Sequence, residues 1–317
     1  MKKILWVSLF LLSMAVPASP AQTSESARLY FDRASTRQSK GDLRGAIADY
    51  DVALTFDPRY AVAYLHRGNA RKLQGDIEGA MVDYDMAIGI DPKIAEAYSD
   101  RGLARSEGGD HRGAIDDFNR AIEIKPRFAA AYYNRGNANR DSGNLDAAIA
   151  DFSKAIEIDS RFAEAYSNRG ALRYATGRIT AAIDDCTRAI GLNPKLGLAY
   201  HNRGLARTAG GDIDGAIDDF DKAAILEPVQ PMVYYNRGVA RQIKQDFDGA
   251  ASDFSKAIEL KPDLALAYIN RGIVRLIQGR HGDADRDFET ALKHGGDLKQ
   301  PLEARIKQLK RKYQPKH

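Results

Sequence analysis

Cys186 is the only cysteine in the 317 residues, so no intramolecular disulfide can form in any compartment. Apolar runs are short as well. The longest opening stretch, Ile4 to Val16, falls below the roughly 20 residues that a membrane-spanning helix needs. Enzyme signatures are missing: there is no Gly-x-x-x-x-Gly-Lys-Ser/Thr loop and no His-Glu-x-x-His pair. The six histidines (His66, His111, His201, His281, His294 and His317) are scattered, none at metal-ligand spacing from another. Asp283, Asp285 and Asp287 resemble the start of a calcium loop but lack its Gly at position six and Glu at position twelve. No catalytic residue, metal site or cofactor is therefore expected. Excess charge is lacking too. The net charge is +4, and residues 22–298 carry a balance of −4 against +6 in residues 299–317. A nucleic-acid binder would line a face with Lys and Arg. This chain does not.

What the chain has in abundance is repetition. A unit of 34 residues with two amphipathic segments recurs eight times, at 27–60, 61–94, 95–128, 129–162, 163–196, 197–230, 231–264 and 265–298. That period is the signature of stacked helical hairpins, and a solenoid of this kind grows without a single central core. Residues 22–26 form a short lead and 299–317 a basic tail.

Counting the first residue of each unit as position 1, position 4 is Tyr throughout, from Tyr30 to Tyr268. Position 8 is Ala34 and then Gly68, Gly102, Gly136, Gly170, Gly204, Gly238 and Gly272. A mid-helix Gly costs about 1 kcal/mol against Ala, so its recurrence implies close helix approach. Position 15 is Gly in seven units and Gln245 in the other. Asp or Asn follows in six units, where it caps the second helix. Position 20 is always Ala, and six units end on Pro58, Pro92, Pro126, Pro194, Pro228 or Pro262. Cys186 stands in an aromatic slot filled elsewhere by Tyr50, Tyr84 and five Phe, which reads as a buried small hydrophobe.

Tyr at 4, Gly at 8, Ala at 20, an aromatic at 24, Ala at 27 and Pro at 32 together resemble the tetratricopeptide repeat family. Position 11 departs from that pattern: Arg37, Arg71 and their equivalents stand where the family often has Tyr. The resemblance implies an all-α, right-handed superhelical solenoid of eight 34-residue hairpins, with a concave groove lined by the first helices. Leu302, Ile306, Leu309 and Tyr313 fall on one helical stripe and predict a C-terminal capping helix.

The groove is where the family binds partners. Position 6 reads Asp32, His66, Asp100, Asn134, Asn168, Asn202, Asn236 and Asn270. An Asn amide can match the backbone of an extended peptide, with Tyr133, Tyr174 and Tyr235 supplying contacts beside Ile269, Leu276 and Ile277. The competing reading has these amides bonding sideways and only stacking the repeats. Arg at position 7 and Asp at position 23, present in all eight units, read as an internal ladder that fixes register. The slots for a carboxylate clamp hold Val62, Glu96 and other residues but no Lys, so that mode is not expected.

Met1-Lys2-Lys3, the apolar run and Pro17 to Ala21 have the layout of a secretory signal peptide spanning residues 1–21, cut after Ala21 or Ala18. Export to the periplasm or beyond follows as an expectation. The leading function is a non-enzymatic protein–protein interaction scaffold that binds an extended peptide segment. The rival is a structural spacer in a cell-envelope assembly, docking by its convex face or by Lys307, Lys310, Arg311 and Lys312 on anionic lipid or cell-wall polymer.

Overall fold

A computed structural model describes residues 20–294 and 299–313. The first 19 residues, which hold most of the expected signal segment, lie outside them, as do 295–298 and 314–317. The chain divides into two compact units, residues 1–126 and 127–317.

The first unit holds α1 (Pro20–Ser39), α2 (Leu43–Phe56), α3 (Ala61–Leu73), α4 (Ile77–Ile90), α5 (Ala95–Glu107) and α6 (His111–Ile124). The second holds α7 (Ala129–Asp141), α8 (Leu145–Ile158), α9 (Ala163–Ala175), α10 (Ile179–Leu192), α11 (Gly197–Gly210) and α12 (Ile213–Leu226). It continues with α13 (Pro231–Ile243), α14 (Phe247–Leu260), α15 (Ala265–Ile277), α16 (His281–His294) and α17 (Lys299–Tyr313). Consecutive helices pair into hairpins, and within each unit every hairpin stacks on the next. The fold is an all-α solenoid of helical hairpins with a C-terminal cap. Residues 22–26, expected as a short lead, lie within α1.

Each hairpin turns on a left-handed residue. Gly41, Gly75, Gly109, Gly143, Gly177, Gly211 and Gly279 have φ between +75° and +87°, and Gln245 adopts +66° in the same slot. Asp42, Asp76, Asp110, Asp212 and Asp246 then accept a hydrogen bond from the backbone N–H three residues on, as a capping side chain should. Asn144 makes no such bond, so its expected capping role is served by backbone alone.

The mid-helix glycines mark a close helix approach, as expected: a Cβ on Gly68, Gly102 or Gly170 would lie 3.2 Å from the backbone oxygen of Ala80, Ala114 or Ala182, and a side chain comes closer still. A Cβ on Gly136, Gly204, Gly238 or Gly272 would meet the ring edge of Phe152, Phe220, Phe254 or Phe288 at 2.7–2.8 Å. The position-24 aromatic of the second helix therefore lies flush on the first. At Gly170 the same place is taken by the Cys186 sulfur, 2.7 Å from the added carbon. Cys186 is fully buried, and burial pushes its thiol up to about 12. It is packing.

The Arg–Asp ladder is inside the structure and reaches further than one hairpin. Arg203 donates from Nε and Nη2 to Asp219 at 2.9 and 2.6 Å and from Nη1 to Thr187 Oγ1 of the preceding hairpin at 3.1 Å. Arg67, Arg101 and Arg237 do the same with Asp51, Asp85 and Asp221. Each position-7 guanidinium also lies over the position-4 Tyr ring of its own helix, 4.7–5.8 Å from the centroid. The position-11 Arg adds a third donor, as Arg207 Nη1 does to Asp219 at 2.9 Å. One buried carboxylate thus holds two arginines within its hairpin, and the position-7 Arg ties that hairpin to the one before.

The cap closes the stack. Ile306, Leu309 and Tyr313 of α17 pack with Ile273, Leu276, Phe288 and Leu292. Lys310 bridges to Asp285 at 2.7 Å, and Asp283 pairs with Arg280 and Arg286. The aspartates that began like a calcium loop are engaged in ion pairs, and the described residues contain no cluster able to hold a metal.

Candidate functional site

All eight residues expected to bind a peptide lie on the first helices of the second unit. Positions 5, 6, 9, 12 and 13 share one face of a helix, because residues three, four and seven apart lie one above the other. Helices α7, α9, α11, α13 and α15 present that face side by side.

The asparagines are occupied along it. Asn168 Nδ2 donates to Tyr133 Oη at 3.1 Å and to Asn137 Oδ1 at 3.0 Å. Asn202 Nδ2 reaches Ser167 Oγ at 3.3 Å, Asn236 Nδ2 meets His201 Nε2 at 2.8 Å, and Asn270 Nδ2 donates to Tyr235 Oη at 2.9 Å. Four of these bonds span 35 residues, from position 6 of one hairpin to position 5 of the hairpin before, and the bond from Asn168 to Asn137 spans 31 and reaches position 9. This is the stacking geometry. Asn202 is 7% exposed, so it offers a peptide little surface, and its expected place in a binding row is corrected to one of stacking. Asn134, on α7, is half-buried.

The tyrosines divide. Tyr133 packs on Phe152 and Phe162, with centroids 5.7 and 4.7 Å apart, and Tyr235 packs on Phe254 at 5.9 Å. Burial raises the Tyr235 phenol, which stays protonated. Ile269 and Leu276 are buried at 7% and 4%, so neither is a groove contact; Leu276 lies under the cap.

One place on this face is open. A pocket of about 300 Å³ is lined by Tyr174, Leu205, Thr208, Ala209, Tyr235, Asn236 and Val239, with Phe220 at its floor. Three helices build it: α9 gives Tyr174, α11 gives Leu205, Thr208 and Ala209, and α13 gives Tyr235, Asn236 and Val239. It thereby unites three of the expected residues and adds four that the sequence reading missed. The signal for those four was present: they occupy positions 9, 12 and 13, on the same helical stripe as position 5.

Electrostatics leave the pocket neutral. His201 stands behind it, its ring 5.8 Å from that of Phe220. Burial lowers its imidazole to about 4, so it is uncharged at ordinary pH. Its Nε2 then accepts from Asn236, which leaves the ring proton on Nδ1. The position-6 slots of the first unit differ in kind. Asp100 accepts from Asn69 Nδ2 at 2.9 Å, Asn69 accepts from Tyr84 Oη at 2.7 Å, and burial holds the Asp100 carboxyl above the usual range.

Family models match across these hairpins: a TPR repeat over residues 102–140 and 136–177, and the tetratricopeptide repeat over 163–196 and 201–265. The chain belongs to the tetratricopeptide repeat family. Solved structures agree on the fold. The APC/C hetero-tetramer Cut9–Hcn1 matches with a TM-score of 0.65 and 18% identity, covering 89% of this chain and 56% of that one. The protein pilF of Pseudomonas aeruginosa matches at 0.59 with 20% identity, over 67% of this chain and 97% of its own. A tetratricopeptide repeat protein from Parabacteroides merdae matches at 0.58 with 20% identity, over 79% and 99%. At these identities the likeness concerns the fold alone. No curated protein matches the chain. Tetratricopeptide repeat proteins are protein-interaction scaffolds, and this chain is built as one.

Proposed function

We propose that this chain holds an extended segment of a partner protein against the first-helix face of its second unit. One large apolar side chain of that segment sits in the pocket between α9, α11 and α13. The observation that carries this reading is the pocket itself. It is concave and lined mainly by apolar and aromatic groups, and it reaches the lower end of the size range typical of ligand sites. A neutral lining offers nothing to a charged side chain, which would lose its hydration without gaining a partner. Tyr174 and Tyr235 are rigid, amphipathic anchors of the type that dominates binding energy at interfaces.

The asparagine row serves this reading indirectly. By locking each first helix to its neighbour, it fixes the spacing of the walls before a partner arrives, and a preformed site gives up less entropy on binding. The chain acts in this proposal by binding, as a scaffold without chemistry of its own, after export through the opening segment.

The test is site-specific photo-crosslinking in cells from a probe at Gln242, on the same face, with and without Ala209→Arg. Ala209 is exposed, so a long side chain there fills the pocket without disturbing the core. A discrete protein adduct that disappears with Ala209→Arg supports the site. An adduct of equal yield in both backgrounds sinks it.

A further inference from the structure

We propose that the exposed face of α17 is a second docking surface, independent of the pocket, and that its occupant is an anionic phospholipid membrane. The helix does two things at once. Ile306, Leu309 and Tyr313 turn inward and cap the stack, and Lys310 is committed to Asp285 while lying over the Phe288 ring. What remains outside is cationic: Arg305, Lys307, Arg311 and Lys312 are all exposed, against the single exposed Glu303.

These charges are excess to the fold. The arginines at positions 7 and 11 of the repeats, by contrast, are spent in ion pairs with buried aspartates, as Arg203, Arg207, Arg237 and Arg241 are. Among the described residues, none of these four cations of α17 has a carboxylate within salt-bridge distance. They concentrate +4 on a helix of 15 residues in a protein whose residues 22–298 are net negative.

The shape of the patch selects the partner. At about 100° per residue, Arg305 and Lys312 fall on one flank of the outward arc and Lys307 and Arg311 on the other. The charge therefore lies on both flanks of the helix, beside two open depressions, one edged by Lys307 and Arg311 and the other by Arg305, Arg311 and Lys312. Single-stranded nucleic acid is held by exposed aromatic platforms, and the one aromatic of this helix, Tyr313, is packed inward. Duplex binding calls for a wider basic footprint than one helix. A planar sheet of anionic headgroups meets all four cations together and needs no complementary cleft.

The full chain should bind vesicles of phosphatidylcholine and phosphatidylglycerol in cosedimentation and leave pure phosphatidylcholine vesicles in the supernatant. The four exposed cations together should separate the two affinities by roughly 10³-fold at low salt. High salt should abolish the difference, since the contacts are screened. Replacing Arg305, Lys307, Arg311 and Lys312 with Gln should remove binding while circular dichroism and the melting curve stay unchanged. Lys312→Glu alone should weaken it, which guards against a misfolded quadruple variant. Equal sedimentation with neutral vesicles, undiminished binding by the folded quadruple variant, or tighter binding to duplex DNA or polyglutamate than to anionic vesicles would each overturn the proposal. Ala209→Arg, which blocks the pocket, should bind vesicles normally.

Discussion

Removing one carboxylate from the Arg–Asp ladder should be far more damaging than removing any surface acid. Asp219 is 2% exposed and accepts from Arg203 Nε, Arg203 Nη2 and Arg207 Nη1 at 2.9, 2.6 and 2.9 Å. In Asp219→Ala, Arg203 keeps Thr187 and Arg207 keeps the Gly215 carbonyl at 3.0 Å and Asp212 at 3.4 Å. Two partly buried guanidinium groups then face an apolar methyl. Breaking a buried pair by deleting one member costs about 3–5 kcal/mol, and the lower end applies because both arginines keep some solvent. About 3 kcal/mol corresponds to roughly 6–12 °C in Tm for a unit of this size. Asp219→Asn, which keeps the shape and one acceptor, should lose about half as much. The matched control is Asp214→Ala: that residue pairs with Lys244 at 2.6 Å, but both side chains are well exposed, so the loss should stay within about 0.5 kcal/mol. Far-UV circular dichroism during heating and urea titration reads all three variants. If Asp219→Ala melts no lower than Asp214→Ala, the ladder is not what fixes the register, and the reasoning fails.

Three further outcomes follow from departures between repeats. Gln245→Gly should raise stability by about 1 kcal/mol, because Gln245 holds φ +66° where seven siblings use Gly; an unchanged melting curve contradicts it. Arg178→Asp should add about 1 kcal/mol by supplying the side-chain cap that α10 lacks and α12 has; urea midpoints of the two proteins decide this. Asp100→Asn should be stabilising at neutral pH, since burial holds the folded carboxyl above its unfolded value. For a raised carboxyl the cost grows as pH rises from about 3.9 through the folded value, so the advantage of Asn should vanish in acid. A pH-independent difference would mean that charge is not the cause.

The amino-acid sequence determined the hairpins, their number and their turns. Those features repeat locally: a left-handed Gly, a capping Asp and an aromatic facing a Gly each act within about sixteen residues, so a period of 34 displays them directly. The pairing of position 7 with position 23 was legible for the same reason. Its second reach, to position 25 of the hairpin before, was not, because a guanidinium has five donors and only the stacking distance decides which neighbour the spare one meets. The asparagines show the limit most clearly. Their chemistry permits both a peptide and a neighbouring helix, and the choice lay with the residue 35 positions earlier, at a lateral distance no spacing encodes. Tertiary structure likewise buried Leu276 under α17 and brought Tyr174, Leu205, Tyr235 and Val239 around one opening. Each of those residues sits on the expected helical face, but a pocket needs three helices at once, and the gap between them is set by packing.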